Sequence, residues 1–327
     1  MARNKNAYIG VDVGGTKIMG ILTNGVDDTI IEQIKEPTPK ENPEEVGPAI
    51  LDVVRKLISL ADNHNLVVKG VGAGVPGLVD SSGVLRYGPN VQGVINLDIT
   101  SMIRAQFEIP AVAENDGTLA ALVEHRIGAA QGHDHALLIT QGTGIAGGLI
   151  VNGKVVKGAN GFAGEPGHAL IDPNGPMCAC KQQGCWEAVS SGAGLANIAR
   201  QVVAEGKADA ILELAGGKPE DIRGEHVAEA GQAGDPGAEE VFDRFAYWVA
   251  VGLSNLCALL DPSVIVLGGG LASISDQFID KVRQKLPERL IGADYRPTID
   301  VVPAKFRANA GALGGAIRAR DYVINGK

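Results

Sequence analysis

Two segments of this sequence share one local pattern, a pair of apolar strands joined by a glycine-rich turn. Residues 15–22 (Gly-Thr-Lys-Ile-Met-Gly-Ile-Leu) resemble residues 142–149 (Gly-Thr-Gly-Ile-Ala-Gly-Gly-Leu), which follow 127 positions later. Glycine allows a tight turn because it lacks a Cβ atom, and the apolar runs on either side have strand length. The repetition predicts a duplicated α/β unit, although chance similarity between two glycine-rich hairpins would give the same pattern.

We predict a boundary between the two halves near residue 117. An N-terminal α/β domain would cover residues 1–116, and a larger C-terminal α/β domain would cover residues 117–308. In the second half the apolar periodicity predicts several helices, the first of them unbroken over 186–206. The C-terminal segment 309–327 is also expected to be helical and to fold back onto the first half.

Charge and hydropathy argue against two classes of partner. The 29 Lys and Arg residues are outnumbered by 38 Asp and Glu residues, which gives a net charge of −9. A general nucleic-acid binder needs a basic surface, so this balance argues against that class. No apolar stretch reaches about 18 residues, the length that a membrane-spanning helix requires. Residues 1–6 lead directly into a strand without an apolar signal segment. We therefore expect a cytoplasmic protein with no nucleic-acid and no membrane partner.

Two segments match the pattern G-x-G-x-x-G, at residues 72–77 and 142–147. The dinucleotide-binding fingerprint requires a helix directly after this motif, so that the helix N-terminus meets the pyrophosphate. Neither segment is followed by a helical pattern. The context therefore excludes a nicotinamide enzyme, and the sequence contains no Walker A motif.

Glycine turns between strands can still bind phosphate, because successive backbone N–H groups point into one concavity. The first turn adds a hydroxyl and an ammonium group to those donors: Gly14-Gly15-Thr16-Lys17. Thr143 and Gly144 lie in a second turn, and Asp12 at a strand end fits a partner for Mg²⁺, usually through water. Each turn alone would be only a tight hairpin. As a pair across a cleft, together with Gly268-Gly269-Gly270, they predict a triphosphate site.

One histidine and three cysteines have the spacing of a metal site: His168, Cys178, Cys180 and Cys185. One imidazole and three thiolates form a Cys₃His set, which is typical of closed, tetrahedral structural zinc. Four protein ligands leave no open coordination position, so we expect Zn²⁺ to shape the loop 168–185 without taking part in chemistry. Three reduced thiols near an unrelated histidine are the alternative.

Two glutamates, Glu165 and Glu187, flank this loop. Folding the loop around zinc would bring them together beside the imidazole of His168. Paired carboxylates in that position would accept hydrogen bonds from the hydroxyl groups of a polyol. Solvated surface glutamates, which are the commoner fate of this residue type, are the alternative.

Five motifs taken together resemble the ROK family of sugar kinases, and within it the bacterial glucokinases: Asp12-Val-Gly-Gly-Thr-Lys17, Glu114-Asn115-Asp116, Gly142-Thr-Gly-Ile145, Gly164-Glu-Pro-Gly-His168 and Cys178-x-Cys-x4-Cys-Trp-Glu187. The match extends over nearly the whole chain. The resemblance implies an actin-like ATPase (ribonuclease H-like) fold, in which two α/β domains flank a cleft. It also implies phosphorylation of the 6-hydroxyl of glucose by ATP with Mg²⁺, which yields glucose 6-phosphate and ADP, and a homodimer or homotetramer.

The resemblance also assigns roles to individual positions. Asp116 matches the catalytic base, although a carboxylate here could instead cap the helix that follows. The positions that match sugar-contacting residues are Gly77, Asn90, Asn115, Asp116, Glu165, His168 and Glu187. Besides the two glycine turns, the positions that match nucleotide-contacting residues are Gly269, Gly270 and Gly314.

Several alternatives stay open on the sequence alone. Carboxylates accept hydrogen bonds from many hydroxyls, so the sequence does not separate glucose from N-acetylglucosamine, N-acetylmannosamine, fructose or allose. Polyphosphate could replace ATP, because the turns recognise charge more than base. The family also contains repressors with an N-terminal DNA-binding region, but only 11 residues precede Asp12, so we expect an enzyme. A non-catalytic sugar sensor is the remaining alternative.

Overall fold

The computed structural model describes residues 5–39, 42–88 and 93–326, apart from the side chains of residues 272, 273 and 275. The described residues form these strands: β1 (Asn6–Val13), β2 (Lys17–Asn24), β3 (Ile30–Pro37), β4 (Val67–Val75), β5 (Leu78–Val79), β6 (Val84–Tyr87), β7 (Leu97–Asp98), β8 (Ala111–Asn115), β9 (Ala136–Gln141), β10 (Ile145–Val151), β11 (Lys154–Val155), β12 (Val264–Gly268) and β13 (Asp300–Pro303). They also form these α-helices: α1 (Val46–Asn63), α2 (Ile99–Phe107), α3 (Asp116–Ile127), α4 (Glu187–Ser190), α5 (Gly192–Ala204), α6 (Asp209–Leu214), α7 (Gly224–Gln232), α8 (Pro236–Leu260), α9 (Ile279–Lys285) and α10 (Ala310–Asn325). None of these helices is long and apolar enough to cross a membrane.

Two five-stranded sheets have the same topology. The strand order is β3-β2-β1-β4-β8 in the first sheet and β11-β10-β9-β12-β13 in the second. In each sheet the glycine-turn hairpin pairs antiparallel, and its first strand pairs parallel with the strand that follows a crossover. A small sheet, β5-β6-β7, is inserted after β4. A shared strand order of this kind supports the predicted duplication over chance similarity of two hairpins.

Strand β1 has different neighbours on its two faces, as the alternation of side chains along a strand requires. Ile9 and Val11 belong to an apolar cluster with the inner face of α1. On the other face, a Cβ atom at Gly10 would lie 1.7 Å from the carbonyl oxygen of Ala312 in α10. A Cβ atom at Gly72 in β4 would lie 2.0 Å from Gly315 O. Glycine at these positions therefore lets α10 pack directly on the backbone of the first sheet.

The C-terminal helix α10 packs on β1 and β4, as predicted, and also along α3. One apolar cluster contains residues of both sheets and of the two helices, among them Met19, Leu119, Leu138, Val266 and Leu313. The helices α3 and α10 therefore lie between the two sheets. The proposed boundary near residue 117 falls at the first turn of α3, and a division of the chain into two domains there remains a prediction.

The continuous helix predicted over 186–206 is wrong. The chain forms α4 and α5 instead, because Ser191 between them is extended, with φ −90° and ψ −179°. The Ser191 hydroxyl accepts a hydrogen bond from Gly194 N at 3.3 Å and so caps α5. Trp186, directly before α4, is buried, and its indole nitrogen donates to Trp248 O at 2.9 Å.

Candidate active site

A cleft of about 750 Å³ lies between the two glycine turns. Fifteen of the residues predicted to bind sugar or nucleotide line it: Asp12, Gly14, Gly15, Thr16, Lys17, Gly77, Asn115, Asp116, Thr143, Gly144, Glu165, His168, Glu187, Gly269 and Gly270. Cys180 also lines the cleft; it belongs to the loop of residues 168–185 that carries the predicted zinc ligands, here called the metal loop. Segments that are far apart in the sequence therefore meet at one cavity.

Two predicted positions are not among the lining residues. Asn90 lies outside the described residues. Gly314 is buried between helices, where a Cβ atom would lie 2.1 Å from Leu119 O, and it does not line the cleft. The prediction of a nucleotide contact at Gly314 is therefore not supported, because this glycine serves the packing of α10 on α3. Gly311, about one turn earlier in α10, lines the cleft instead.

The first glycine turn joins β1 to β2. Gly14 N donates to Lys17 O at 2.9 Å, which closes the turn. Thr38 holds it from β3: the Thr38 hydroxyl donates to Gly14 O at 2.6 Å, and Thr38 N donates to Thr16 O at 3.2 Å. The residues Gly15, Thr16 and Lys17 stay exposed at the tip, so their donors are available to a ligand.

The second glycine turn joins β9 to β10 and is held by Glu187. Ile145 N donates to Glu187 Oε2 at 2.8 Å. A Cβ atom at Gly144 would lie 2.4 Å from the same oxygen, so this close approach requires glycine. Gly269 has φ +84°, and a Cβ atom there would lie 2.4 Å from Gln141 O. The turn after β12 thus packs directly beside the end of β9.

Asp116 is the first residue of α3, but it does not cap the helix. The N-cap is Asn115, whose Oδ1 accepts from Thr118 N at 3.1 Å. The Asp116 carboxylate accepts one hydrogen bond, from Gly117 N at 2.9 Å, and lines the cleft. Burial raises the pKa of Asp116, against the opposing effect of the Gly117 N–H group. The capping alternative therefore applies to Asn115, and the Asp116 carboxylate remains at the cleft.

Asp12 ends β1 beside the first turn of α10. A Cβ atom at Gly311 would lie 2.6 Å from the carboxyl carbon of Asp12, so the carboxylate rests on the helix backbone. Burial, and then the negative charge of Asp116, raises the pKa of Asp12 to about 7, while Lys17 acts in the opposite direction. A divalent cation at this position would reverse that shift, because it favours the ionised carboxylates.

Glu165 is held in the cleft by Asn115. The Asn115 amide nitrogen donates to Glu165 Oε1 at 3.2 Å and to Gly77 O at 3.1 Å. Burial, followed by the charges of Asp116 and Glu187, raises the pKa of Glu165 to about 7. The carboxylates of Asp116, Glu165 and Glu187 thus lie close together. Together they can accept hydrogen bonds from several hydroxyl groups.

The four predicted metal ligands converge. One ligand atom from each of His168, Cys178, Cys180 and Cys185 lies within 4.8 Å of all the others. His168 Nδ1 is 3.8 Å from Cys178 Sγ, and Cys180 Sγ is 3.6 Å from Cys185 Sγ. Tetrahedral zinc with Zn–S bonds of about 2.3 Å sets its ligand atoms about 3.8 Å apart, so the donor set fits that ion. Glu187 Oε1 is 3.4 Å from Cys178 Sγ, so this glutamate links the metal loop to the second glycine turn.

Several residues that line or support the cleft were not predicted from the sequence, and three of them carry polar side chains that matter here. Thr38 supports the first turn, and Glu124 accepts hydrogen bonds from Ala129 N and Phe306 N, each at 2.8 Å. Arg307 lines the cleft from the loop before α10. Nothing in the sequence marks these residues, because each acts through chain segments that only the fold brings together.

Two sheets of one topology, each with a glycine turn at a shared cleft, define the actin-like ATPase fold. The solved structure of a ROK family glucokinase from Streptomyces griseus, in complex with glucose and AMPPNP, is similar to this chain with a TM-score of 0.84. It is 34% identical, and the match covers 96% of this chain and 99% of that one.

The chain belongs to the ROK family, whose profile matches residues 8–321. A glucokinase of Streptomyces coelicolor is 35% identical over 96% of this chain and 97% of its own length. A xylose repressor of Bacillus subtilis is 26% identical, and the match covers 98% of this chain and 79% of the repressor. The family therefore contains relatives of two functional classes.

Proposed function

We propose that this protein is a glucokinase, which transfers the terminal phosphoryl group of ATP to the 6-hydroxyl of glucose and releases glucose 6-phosphate and ADP. The observation that carries the proposal is the Asp116 carboxylate, directed into a cleft between two glycine turns and beside further carboxylates. The full-length similarity to glucokinases at up to 35% identity supports the same reaction.

In this mechanism Asp116 accepts the proton of the sugar hydroxyl as that oxygen attacks the phosphoryl group. Phosphoryl transfer depends mainly on positioning and charge neutralisation, and a carboxylate within reach of the nucleophile completes it. The raised pKa of Asp116 suits a base, since it makes the carboxylate a better proton acceptor.

The glycine turns hold the donor. Backbone N–H groups of both turns, with the Thr16 hydroxyl and the Lys17 ammonium, would bind phosphate oxygens. Asp12 would hold Mg²⁺ through water, and the ion would neutralise charge on the phosphate oxygens when bound. Gly269 and Gly270, in the turn after β12, line the cleft where the nucleotide would lie.

The sugar would lie against the carboxylates and the metal loop. Glu165 and Glu187 accept hydroxyl hydrogen bonds, while the Asn115 side chain keeps Glu165 in place. Zn²⁺ bound by the Cys₃His set would fix the ring of His168 through Nδ1, which leaves Nε2 for a sugar hydroxyl. The ion has a structural role, because the four protein ligands complete a tetrahedral shell.

A hexose panel tests the proposal. We expect ADP release with glucose and MgATP, followed through a coupled assay, to exceed that with N-acetylglucosamine, N-acetylmannosamine, fructose or allose. Tripolyphosphate in place of ATP tests the donor. Absence of turnover with every sugar, together with tight glucose binding, would favour a sugar sensor related to the repressors.

The expected oligomer has candidate contact residues. Leu259, Ile291 and Tyr295 are large apolar side chains that are 79%, 86% and 94% exposed. We propose that they contribute to a homodimer or homotetramer, whose mass light scattering after size exclusion would measure. A cytoplasmic location remains a prediction from the sequence.

A further inference from the structure

Arg307 has an unfavourable backbone conformation at the edge of the cleft. Its φ is +45°, in the left-handed region that residues with a Cβ atom seldom adopt. It begins the short 3-10 turn Arg307–Asn309 that leads into α10. Glycine would adopt this conformation without strain, so an arginine here carries a backbone cost that glycine would avoid.

The residues around Arg307 are anchored by hydrogen bonds. Phe306 N donates to the buried carboxylate of Glu124 at 2.8 Å, and Lys305 Nζ donates to Ile127 O at 2.9 Å. On the other side, Asn309 Oδ1 accepts from Gln33 Nε2 at 3.4 Å. The surrounding loop therefore fixes where the Arg307 side chain begins.

The guanidinium of Arg307 has no protein partner in the described part of the chain. The side chain is exposed, and it makes no hydrogen bond or ion pair with any described residue. The two arginines that precede Arg307 in the sequence have partners: Arg289 Cζ lies 4.4 Å from the centroid of the Tyr247 ring, and Arg296 pairs with Asp261. Arg307 differs from them in carrying a cation that the fold leaves available.

That cation lies on the donor side of the cleft. Arg307 lines it together with Gly311 and the Gly268–Gly270 turn, and its own turn packs on the segment after Gly270. Arg307 and Lys17 are the Arg and Lys side chains among the described lining residues. The carboxylates lining the cleft are Asp12, Asp116, Glu124, Glu165 and Glu187. The negative charge of a polyphosphate chain is repelled by these carboxylates, so a cation close to its phosphate groups would favour binding.

We propose that Arg307 is a donor-binding residue whose guanidinium contacts phosphate oxygens of the nucleotide. This inference rests on the proposed function, because it takes the donor to be a nucleoside triphosphate. The planar fork of donors on arginine matches phosphate oxygens in a bidentate way, which favours phosphate over the base as its partner. Stacking of the guanidinium on the adenine ring is the competing mode, and the experiment separates the two.

The test compares Arg307→Gly with wild type by calorimetric titration of MgADP, AMP and adenosine. We expect the variant to bind MgADP about tenfold more weakly, the loss of one charge-assisted hydrogen bond, while adenosine binding stays unchanged. The thermal midpoint should stay the same or rise, because glycine relieves the left-handed strain. A loss of affinity without a loss of stability separates ligand contact from a structural role.

Two control variants sharpen the result. Asn152→Gly relieves the same left-handed backbone strain at another residue, whose φ is +52° and which does not line the cleft. Lys305→Gln removes a positive charge two residues from Arg307, although its ammonium contacts Ile127 O and not the cleft. Both controls should keep wild-type affinity for MgADP.

Equal MgADP affinity in Arg307→Gly and wild type would overturn the inference, as would an equal loss for adenosine, which would indicate stacking. An equal loss of MgADP affinity in Lys305→Gln would also overturn it, because the loss would then come from the overall positive potential near the cleft and not from a contact of Arg307. Since these are binding measurements, they stand even if no hexose is phosphorylated, and so distinguish failure here from failure of the proposed function.

Discussion

The pKa of Asp12 depends on the groups that surround its carboxylate. It has the α10 backbone on one side and Asp116 nearby, and its pKa of about 7 compares with 3.8 for a free aspartate. Without a cation, the folded protein therefore holds a proton that the unfolded chain releases near pH 4. The sign follows from linkage: Asp12 favours the folded state at low pH, and this contribution is lost as pH rises from about 4 through 7.

We therefore expect the free energy of unfolding without added Mg²⁺ to decrease between pH 5 and pH 8 more in wild type than in Asp12→Asn. The difference should be about 2 kcal/mol, because the amide cannot ionise. Urea denaturation at the two pH values measures it. Equal pH dependence in the two proteins would mean that the pKa of Asp12 is not raised in the folded protein.

At the scale of elements, the second glycine turn and the helix α4 fit together around one carboxylate. Glu187 in α4 accepts from Ile145 N, and Gly144 leaves it the room to do so. Glu187 Oε1 also lies 3.4 Å from Cys178 Sγ. One residue therefore links the second glycine turn to the metal loop.

Gly144→Ala should displace Glu187 and raise the KM for glucose about tenfold or more, the effect of losing one hydrogen bond to a charged group. Steady-state kinetics measures this. The matched control is Gly224→Ala, where the added methyl group would meet only Leu195 at 3.5 Å. If the KM of Gly144→Ala stays at the wild-type value, Glu187 does not need this contact.

The elements themselves were predictable where a periodic pattern and a cap coincide. The helix α8 ends at residue 260, as its apolar period and the following Asp261-Pro262 indicate. The break at Ser191 was missed because the apolar pattern runs through it, and only the structure shows that the Ser191 hydroxyl caps α5 at Gly194 N. In the same way, Asn115 rather than Asp116 caps α3, a choice that the adjacent residues do not reveal.

At the scale of the whole molecule, the duplication accounts for most of the site. Motifs with glycine, cysteine or carboxylate signatures predicted about half of the residues that line the cleft, including four of its five carboxylates. No sequence pattern marks Thr38 or Arg307, because their positions at the cleft depend on which segments the two sheets bring together. The expected nucleotide contact at Gly314 is not supported, because this glycine lies at the contact between α10 and α3. The sequence alone does not distinguish a glycine at a helix contact from one at a ligand.

The metal loop belongs to this scale, because Glu187 connects it to the hairpin of the second sheet at the cleft. Cys180→Ser should lose bound zinc and weaken glucose affinity about tenfold or more, as when the support of a metal ligand is removed. Metal analysis and glucose titration on the purified proteins measure both effects. Cys257→Ser, a buried cysteine in α8 away from the cluster, is the control and should keep its zinc. Full glucose affinity in the zinc-free variant would exclude the shaping role.

The central claim is that Asp116 takes the proton of a sugar hydroxyl. The most direct measurement is kcat of Asp116→Asn with glucose and MgATP, beside glucose binding by titration. Glu114→Gln is the control, because that carboxylate precedes Asp116 in the same motif but does not line the cleft. We predict that Asp116→Asn binds glucose and loses at least about 100-fold in kcat, the usual contribution of a general base, while Glu114→Gln stays active. A kcat near the wild-type value in Asp116→Asn would contradict the account.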